Sequence, residues 1–87
     1  IFIDADKQSY PEYLELSLNL SHSGTLIFLD NVIRAGDIIN PENHKPSIEG
    51  IRDMFKAMQN HPKILSCTAL QTVGSKGHDG FALAIVK

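Results

Sequence analysis

The fold is decided by the opening stretch IFIDADK, residues 1–7, in which a continuously apolar run ends at Asp4. A second run of the same kind, TLIFLDN, occupies residues 25–31 and ends at Asp30 and Asn31. Continuous rather than alternating apolarity is typical of strands that are buried on both faces, as in parallel sheets. We therefore expect two parallel strands joined through a helix by a right-handed crossover.

The segment between these strands has the signals of a helix that starts near Ser9. Ser9 and Glu12 stand at capping-box spacing, and Pro11 falls within the first turn, where a missing N–H is tolerated. Tyr10 is expected to pack at the start of this helix. Apolar residues at helical spacing then predict one packed face, made of Tyr13, Leu14, Leu16, Leu18 and Leu20.

The middle of the chain predicts a long loop followed by a second helix. Residues 34–46 are rich in proline and polar side chains, and loops of that length in a compact fold are usually functional or mobile. Ser47 is the expected N-cap, and the run 60–62, Asn-His-Pro, is the expected end. The apolar stripe of the helix consists of Ile48, Ile51, Phe55 and Met58, with Met54 also in the core.

Two further apolar runs, residues 64–72 and 81–86, have no helix between them. They predict an antiparallel hairpin around a glycine-rich connection at 73–80. The fold class is therefore α/β, with two parallel strands, an antiparallel terminal hairpin and two main helices. The chain opens on a strand at Ile1 without a methionine, so we expect a piece of a longer protein. The uncovered edge of that strand predicts self-association into a homo-oligomer, such as a dimer.

Composition excludes several classes of function. The 87 residues carry a net charge of −2 and 43% hydrophobic residues, as expected for a soluble globular chain. No apolar run approaches the ~20 residues that span a bilayer, and the slightly acidic balance offers no field for nucleic acid. The single cysteine, Cys67, fits a reducing, cytoplasmic location and predicts a buried, inert thiol. The histidines lack metal-ligand spacing and are expected at the surface; they are His22, His44, His61 and His78.

The polar residues that end both parallel strands are the candidates for chemistry. Neighbouring strands lie ~4.8 Å apart, so Asp4, Asp30 and Asn31 can share a cation if the strands are adjacent. Carboxylate and amide oxygens suit Mg²⁺, Mn²⁺ or Ca²⁺ rather than zinc or copper. Beside a cation, the ammonium form of Lys7 is disfavoured, which is how a lysine becomes a general base. The alternatives are turn-capping aspartates and a solvated surface lysine, while Asp6 either contacts a cationic ligand or caps the helix.

These segments resemble a known family, the metal-dependent O-methyltransferases of the caffeoyl-CoA and catechol type. The resemblance rests on IFIDADK at 1–7, Asp-Asn-Val at 30–32, ALQTVG at 69–74 and Asp-Gly-Phe at 79–81, and it is closest to the bacterial branch that acts on small phenolics. It implies that residues 1–87 are the C-terminal portion of a single domain, the C-terminal half of a Rossmann-like class I methyltransferase sheet.

The resemblance also implies roles for individual residues. Asp4, Asp30 and Asn31 would bind the divalent cation, Lys7 would act as the catalytic base, and Asp6 would contact the amino-acid part of S-adenosylmethionine. The reaction implied is methyl transfer from S-adenosylmethionine to a metal-chelated hydroxyl of a small phenolic or vicinal-diol substrate.

The chain also departs from the family pattern. Family members bind the cofactor through a glycine-rich turn and an acidic residue upstream of the segment present here, so the isolated chain is expected to be inactive. Ala35 stands where the plant branch often has a polar substrate contact, which speaks against a CoA-ester acceptor. Two alternatives remain open. One is a metal-dependent glycosyltransferase that uses Asp4 and Asp6 as an Asp-x-Asp motif, and the other is a non-catalytic, self-associating fragment.

Overall fold

The computed structural model describes residues 1–34, 36–74 and 77–87. Its strands are β1 (Phe2–Ile3), β2 (Leu26–Asp30), β3 (Ile64–Gly74) and β4 (Gly77–Val86), and its helices are α1 (Tyr10–Leu20) and α2 (Pro46–Met58). Short 3₁₀ turns cover Lys7–Ser9 and Asp37–Ile39. The strands form a sheet of order β1-β2-β4-β3, in which β1 and β2 are parallel and the other neighbours antiparallel. The predicted α/β fold is confirmed.

The hydrophobic core lies between the two helices and one face of the sheet. In β1 the side chain of Ile3 is buried, whereas Phe2 is 63% exposed. In β2, Ile27 and Leu29 are buried and Leu26 is half exposed. The prediction that these strands are buried on both faces is therefore wrong for the described residues, because both helices pack on the same face.

Helix α1 begins close to the predicted position, and its predicted packed face is confirmed only in part. Ser9 is its N-cap residue, yet the Ser9 side chain makes no capping hydrogen bond, so the predicted capping box is absent. Tyr10, Leu14 and Leu18, spaced four residues apart, are buried, while the predicted core residues Leu16 and Leu20 are exposed. A stripe spaced by four follows one side of a helix, and only that side faces the sheet.

Helix α2 starts at Pro46 with Lys45 as its N-cap, so the prediction that Ser47 caps it is wrong. Proline suits the first helical position because its missing N–H has no partner there. The core contacts of α2 are as predicted for Ile48, Ile51, Met54 and Met58, with Phe55 partly buried.

One glycine of α2 allows the helix to approach the site segment closely. A Cβ at Gly50 would collide with the backbone of Lys7 and Gln8, so only glycine permits this packing. The position of the Lys7 backbone therefore depends on α2.

The terminal hairpin is longer than predicted. Thr72 pairs with Asp79 and Val73 with His78, so most of the predicted glycine-rich connection belongs to the strands. Cys67 lies on β3, an edge strand of the sheet, and is exposed, so the prediction of a buried thiol is wrong. Ala35 stands where the plant branch of the family often has a polar substrate contact, and it lies outside the described residues.

The histidines are mostly at the surface, as predicted. His22, His44 and His78 are exposed. The side chain of His61 is only 13% exposed, and its Nε2 lies 3.0 Å from a carboxylate oxygen of Glu15 on α1.

Candidate functional site

The carboxyl ends of β1 and β2 lie side by side. Phe2 pairs with Phe28 and Ile3 with Leu29, so the register continued by one residue sets Asp4 beside Asp30. In open α/β sheets this edge is where ligands bind. The structure thus brings together the strand ends that the sequence analysis singled out.

A buried tyrosine hydroxyl ties these two strand ends together. Tyr10 Oη lies 2.6 Å from the carbonyl oxygen of Asp30 and 3.2 Å from that of Ile3. Burial raises the pKa of Tyr10 against the opposing effect of Lys7, so the hydroxyl keeps its proton and can donate it to a carbonyl. Tyr10 packs at the helix start, as predicted. It also makes this polar link between the strands, which could not be predicted from the spacing of apolar residues.

The side chain of Lys7 is enclosed beside the same tyrosine hydroxyl. Its side chain is 8% exposed, and Nζ donates to Tyr10 Oη at 2.6 Å and to Asp4 Oδ1 at 3.3 Å. Nζ also lies 4.7 Å from the centre of the Tyr10 ring. The alternative of a solvated surface lysine is therefore excluded, and Lys7 Nζ is held at the edge where Asp4 and Asp30 meet.

Asn31 follows Asp30 in a constrained conformation. Its φ is 58°, in the left-handed region, and its backbone N–H donates to Asp30 Oδ1 at 2.8 Å. Asparagine tolerates this region better than most residues. The Asn31 side chain donates from Nδ2 to Asp79 Oδ2 at 3.0 Å.

Asp79 belongs to the site although the sequence analysis gave it no role. Its Oδ1 accepts hydrogen bonds from the backbone N–H groups of Gly80, Arg34 and Ile33, at 2.9, 3.1 and 3.3 Å. Burial acts to raise the pKa of Asp79, but the hydrogen bonds from Asn31 and these backbone groups together lower it. Asp79 is therefore an ionised carboxylate at neutral pH. Asp79 lies within the Asp-Gly-Phe segment on which the family resemblance partly rests. That segment was the one feature of the sequence that could have pointed to a role for Asp79.

Asp6 is exposed and makes its contacts on the α1 side. Hydrogen bonding by the side chains of Ser9 and Tyr13 lowers the pKa of the Asp6 carboxyl, and Tyr13 Oη donates to Asp6 Oδ1 at 2.6 Å. No hydrogen bond among the described residues joins Asp6 to Asp4 or Lys7. Asp6 is thus a charged group that lies outside the hydrogen-bonded group formed by Asp4, Lys7 and Tyr10.

The oxygens at the strand ends fit a hard divalent cation. Hydrogen bonds within residues 1–34, 36–74 and 77–87 use one carboxylate oxygen each of Asp4 and Asp30, together with the amide nitrogen of Asn31. The other carboxylate oxygens and Asn31 Oδ1 remain as donors of the type that Mg²⁺, Mn²⁺ and Ca²⁺ accept. Among the described residues, no three His, Cys, Asp or Glu side chains lie together in a way that could hold a metal ion. The candidate cation site differs from such a group because its three side chains are two carboxylates and the amide of Asn31.

This fold, with polar residues at the carboxyl ends of its parallel strands, defines an α/β protein of the Rossmann-like class. The chain belongs to the O-methyltransferase family, whose sequence model matches residues 1–85. The resemblance identified from the sequence is confirmed at the level of the family. The family match gives no support to the glycosyltransferase interpretation of Asp4 and Asp6.

Individual relatives agree with this assignment. The chain is 49% identical to a catechol O-methyltransferase of Niastella koreensis, over 100% of this chain and 39% of the relative. The solved O-methyltransferase from Bacillus cereus in complex with SAH is 52% identical, with a TM-score of 0.94 over 100% of this chain and 39% of that one. TomG from Streptomyces achromogenes, an O-methyltransferase solved with SAM, is 36% identical, with a TM-score of 0.91 over 99% of this chain and 38% of that one.

The matches also show how much of each relative this chain spans. The chain spans about two fifths of the length of the relatives it matches, 39% in the case of the Niastella koreensis enzyme. Among the described residues, no helix has the length and apolar character that crossing a bilayer requires.

Proposed function

We propose that this chain is the C-terminal portion of a single class I O-methyltransferase domain in a longer protein, called the parent protein below. The parent transfers a methyl group from S-adenosylmethionine to a hydroxyl of a catechol-like acceptor. Support comes from the family match over residues 1–85 and from relatives that are named catechol O-methyltransferase or were solved with SAM or SAH.

One observation carries the proposal: Asp4, Asp30 and Asn31 lie at adjacent strand ends, with Lys7 Nζ 3.3 Å from Asp4 Oδ1. We assign Asp4, Asp30 and Asn31 as the ligands of a divalent cation. When bound there, that ion lowers the pKa of a chelated hydroxyl by acting as a Lewis acid. The vicinal-diol acceptor follows from this assignment, because two adjacent oxygens can chelate one ion.

Lys7 is assigned as the base that takes the proton of the acceptor hydroxyl. Tyr10 keeps its own proton, so its hydroxyl oxygen accepts from Lys7 and fixes the position of Nζ without competing as a proton acceptor. Enclosure of Lys7 excludes water from the amine, and positioning of this kind accounts for much of the acceleration in transfer reactions.

Asp6 is assigned as a contact to the amino-acid part of S-adenosylmethionine. Its lowered pKa keeps it charged at neutral pH, as binding of an ammonium group requires. Asp6 immediately precedes Lys7 in the chain, and its side chain is exposed and therefore accessible to a ligand.

The experiment is Asp30→Ala in the parent protein. We expect divalent-ion-dependent methylation of a catechol to be abolished while S-adenosylmethionine still binds, because Asp30 is assigned to the ion and not to the methyl donor. Asp53→Ala, an exposed substitution on α2, is the matched control. Unchanged activity that remains sensitive to EDTA removes Asp30 from the ligand set. Binding of a sugar nucleotide without binding of S-adenosylmethionine contradicts methyl transfer itself.

A further inference from the structure

We propose that Asp79 is a positioning residue that orients the Asn31 side chain so that Oδ1, and not Nδ2, faces the cation. The inference rests on the proposed function, which assigns Asn31 as a metal ligand. Its basis is a contact between residues that are 48 positions apart, in which Asn31 Nδ2 donates to Asp79 Oδ2 at 3.0 Å.

The chemistry of the pair permits one orientation. An ionised carboxylate only accepts hydrogen bonds, whereas the two ends of a carboxamide are a donor and an acceptor of nearly equal size. Facing Asp79, the carboxamide must present its NH₂ group, which turns Oδ1 away. An amide free to flip would present NH₂ hydrogens to a cation in one of its two orientations. Asp79 therefore selects the orientation that can bind a metal.

Both partners are held in place. Asp79 lies on β4, and its Oδ1 accepts hydrogen bonds from the backbone N–H groups of Ile33, Arg34 and Gly80. A further bond from Val32 N–H to the Gly80 carbonyl at 3.1 Å fixes the same segment to β4. With the Asp79 carboxylate fixed on one side and the Asn31 backbone on the other, the carboxamide has little freedom to rotate. Partners of this kind typically contribute about 10- to 100-fold to metal affinity.

A purely structural role for Asp79 gives a different expectation. In that case Asp79 serves only to gather the N–H groups of residues 33, 34 and 80, and the orientation of Asn31 has no effect on the ion. Asp79→Asn separates the two roles. The new side chain keeps one carbonyl oxygen for the backbone N–H groups, but it presents NH₂ where Asn31 now meets a carboxylate. Asn31 must then flip and direct its own NH₂ group toward the ion.

The experiment measures Mg²⁺ and Mn²⁺ binding calorimetrically in the parent protein, with thermal unfolding in EDTA as a parallel readout. We expect Asp79→Asn to weaken binding about 10- to 100-fold and also to lower the unfolding temperature, because a neutral amide accepts the backbone N–H groups less strongly than a carboxylate does. Binding is therefore measured at a temperature where the EDTA unfolding curve shows that the variant is folded. The double variant Asp79→Asn/Asn31→Asp should recover affinity, because a carboxylate at position 31 accepts from the introduced amide and still offers an oxygen. Equal affinity of the wild type and Asp79→Asn for the divalent ion overturns this inference but not the proposed function. Failure of the double variant to recover overturns it also, in favour of the structural role.

Two further outcomes keep the inference testable without any substitution. In the Mg²⁺-bound wild type, NMR should detect a coupling through the hydrogen bond between Asn31 Nδ2 and the Asp79 carboxylate carbon, and its absence contradicts the inference. A wild-type parent protein that binds neither ion overturns both the cation assignment of the proposed function and this inference, whereas the failures above leave the proposed function standing.

Discussion

Lys7 has its side-chain nitrogen between two oxygens of different chemistry, the neutral hydroxyl of Tyr10 at 2.6 Å and the Asp4 carboxylate at 3.3 Å. The hydroxyl anchors the amine in the interior of the site, and the half-exposed carboxylate lies on its solvent side. An ion bound at Asp4 would draw on the same carboxylate. The ion and the Lys7 side-chain nitrogen would therefore compete for Asp4.

At the residue scale we predict that Lys7→Met in the parent protein lowers the methyl-transfer rate by at least about 100-fold, the contribution of a positioned general base. Methionine retains the length of the buried stem, and Tyr10 Oη keeps its bond to the Asp30 carbonyl, so folding should be preserved. Single-turnover kinetics with a catechol, together with Mg²⁺ titration, measure the effect.

The control for Lys7 is Tyr10→Phe, which retains the ring in the core but removes the hydroxyl that holds Nζ. We expect a smaller loss of rate than in Lys7→Met, because the base is still present but less well placed. A Lys7→Met variant that transfers methyl groups at the wild-type rate would exclude Lys7 as the base.

At the scale of elements, helix α2 organises the loop that follows the site. Arg52 donates from its guanidinium to backbone carbonyls of the loop; these belong to Asp37, Ile38, Asn40 and Asn43. It also donates to Glu49 Oε1 at 2.6 Å, one turn earlier on α2. The loop predicted from sequence over residues 34–46 is therefore anchored in its described part by one side chain, and Glu49 orients that side chain.

The Glu49 contact predicts a pH dependence of stability. Hydrogen bonding from Arg52 holds the pKa of Glu49 below its ordinary value of 4.5. A carboxyl whose pKa is depressed on folding contributes stability above its unfolded pKa and loses it as the pH falls through the folded value. We therefore expect the parent protein to unfold at a higher temperature than its Glu49→Gln variant near neutral pH. This gap should close as the pH drops below about 4.5.

Thermal unfolding at a series of pH values checks this prediction. Glu42→Gln is a matched control in the same loop, because the Glu42 carboxylate makes no hydrogen bond within the described residues. A gap between the wild type and Glu49→Gln that stays constant on acidification would show that the pair does not contribute through its charge.

At the scale of the whole molecule, the sheet has one covered and one uncovered face. Phe2, Phe28 and Phe81 stack in a row across β1, β2 and β4, with ring centres 5.1 and 4.8 Å apart, on the face opposite the helices. Under the proposed assignment, the remainder of the parent protein covers this face and supplies the contacts to S-adenosylmethionine other than that of Asp6.

The isolated chain should therefore have no methyltransferase activity. Under the proposed assignment, the described residues provide the cation and base side of the site, and the methyl donor needs contacts from the rest of the parent. The test is transfer of labelled methyl groups to a catechol by the purified chain, compared with the parent protein at equal concentration. Measurable turnover by the isolated chain would contradict the assignment of the cofactor site to other residues.

We also predict that the isolated chain self-associates. Strand β1 is an edge strand of the described sheet, and apolar side chains cluster beside it, with Phe2 63%, Leu16 59% and Leu20 84% exposed. Exposed edges of this kind pair with other chains. Light scattering should give a mass that rises with concentration, and Phe2→Lys should reduce that rise. A monomeric mass at high concentration would argue against this expectation.

Local pattern was sufficient for much of the architecture. Apolar runs that end at Asp4 and Asp30 located the parallel strands, and the absence of a helix between the last two runs identified the hairpin. The proximity of Asp4 to Asp30 also followed from sequence, because parallel strands end at the same edge. Each apolar run is a local pattern, and the general rule for parallel strands supplies the step from those runs to the shared edge.

The sequence by itself determined the family, the α/β class and the order of the elements in this protein. Only the tertiary structure decided which side of each element is covered, and hence that Leu16 and Cys67 are exposed while Lys7 is enclosed. It also decided that Asp79 meets Asn31, a contact across 48 positions. The physical reason is that a local pattern sets the shape of an element, whereas burial and long-range hydrogen bonds depend on what packs against it.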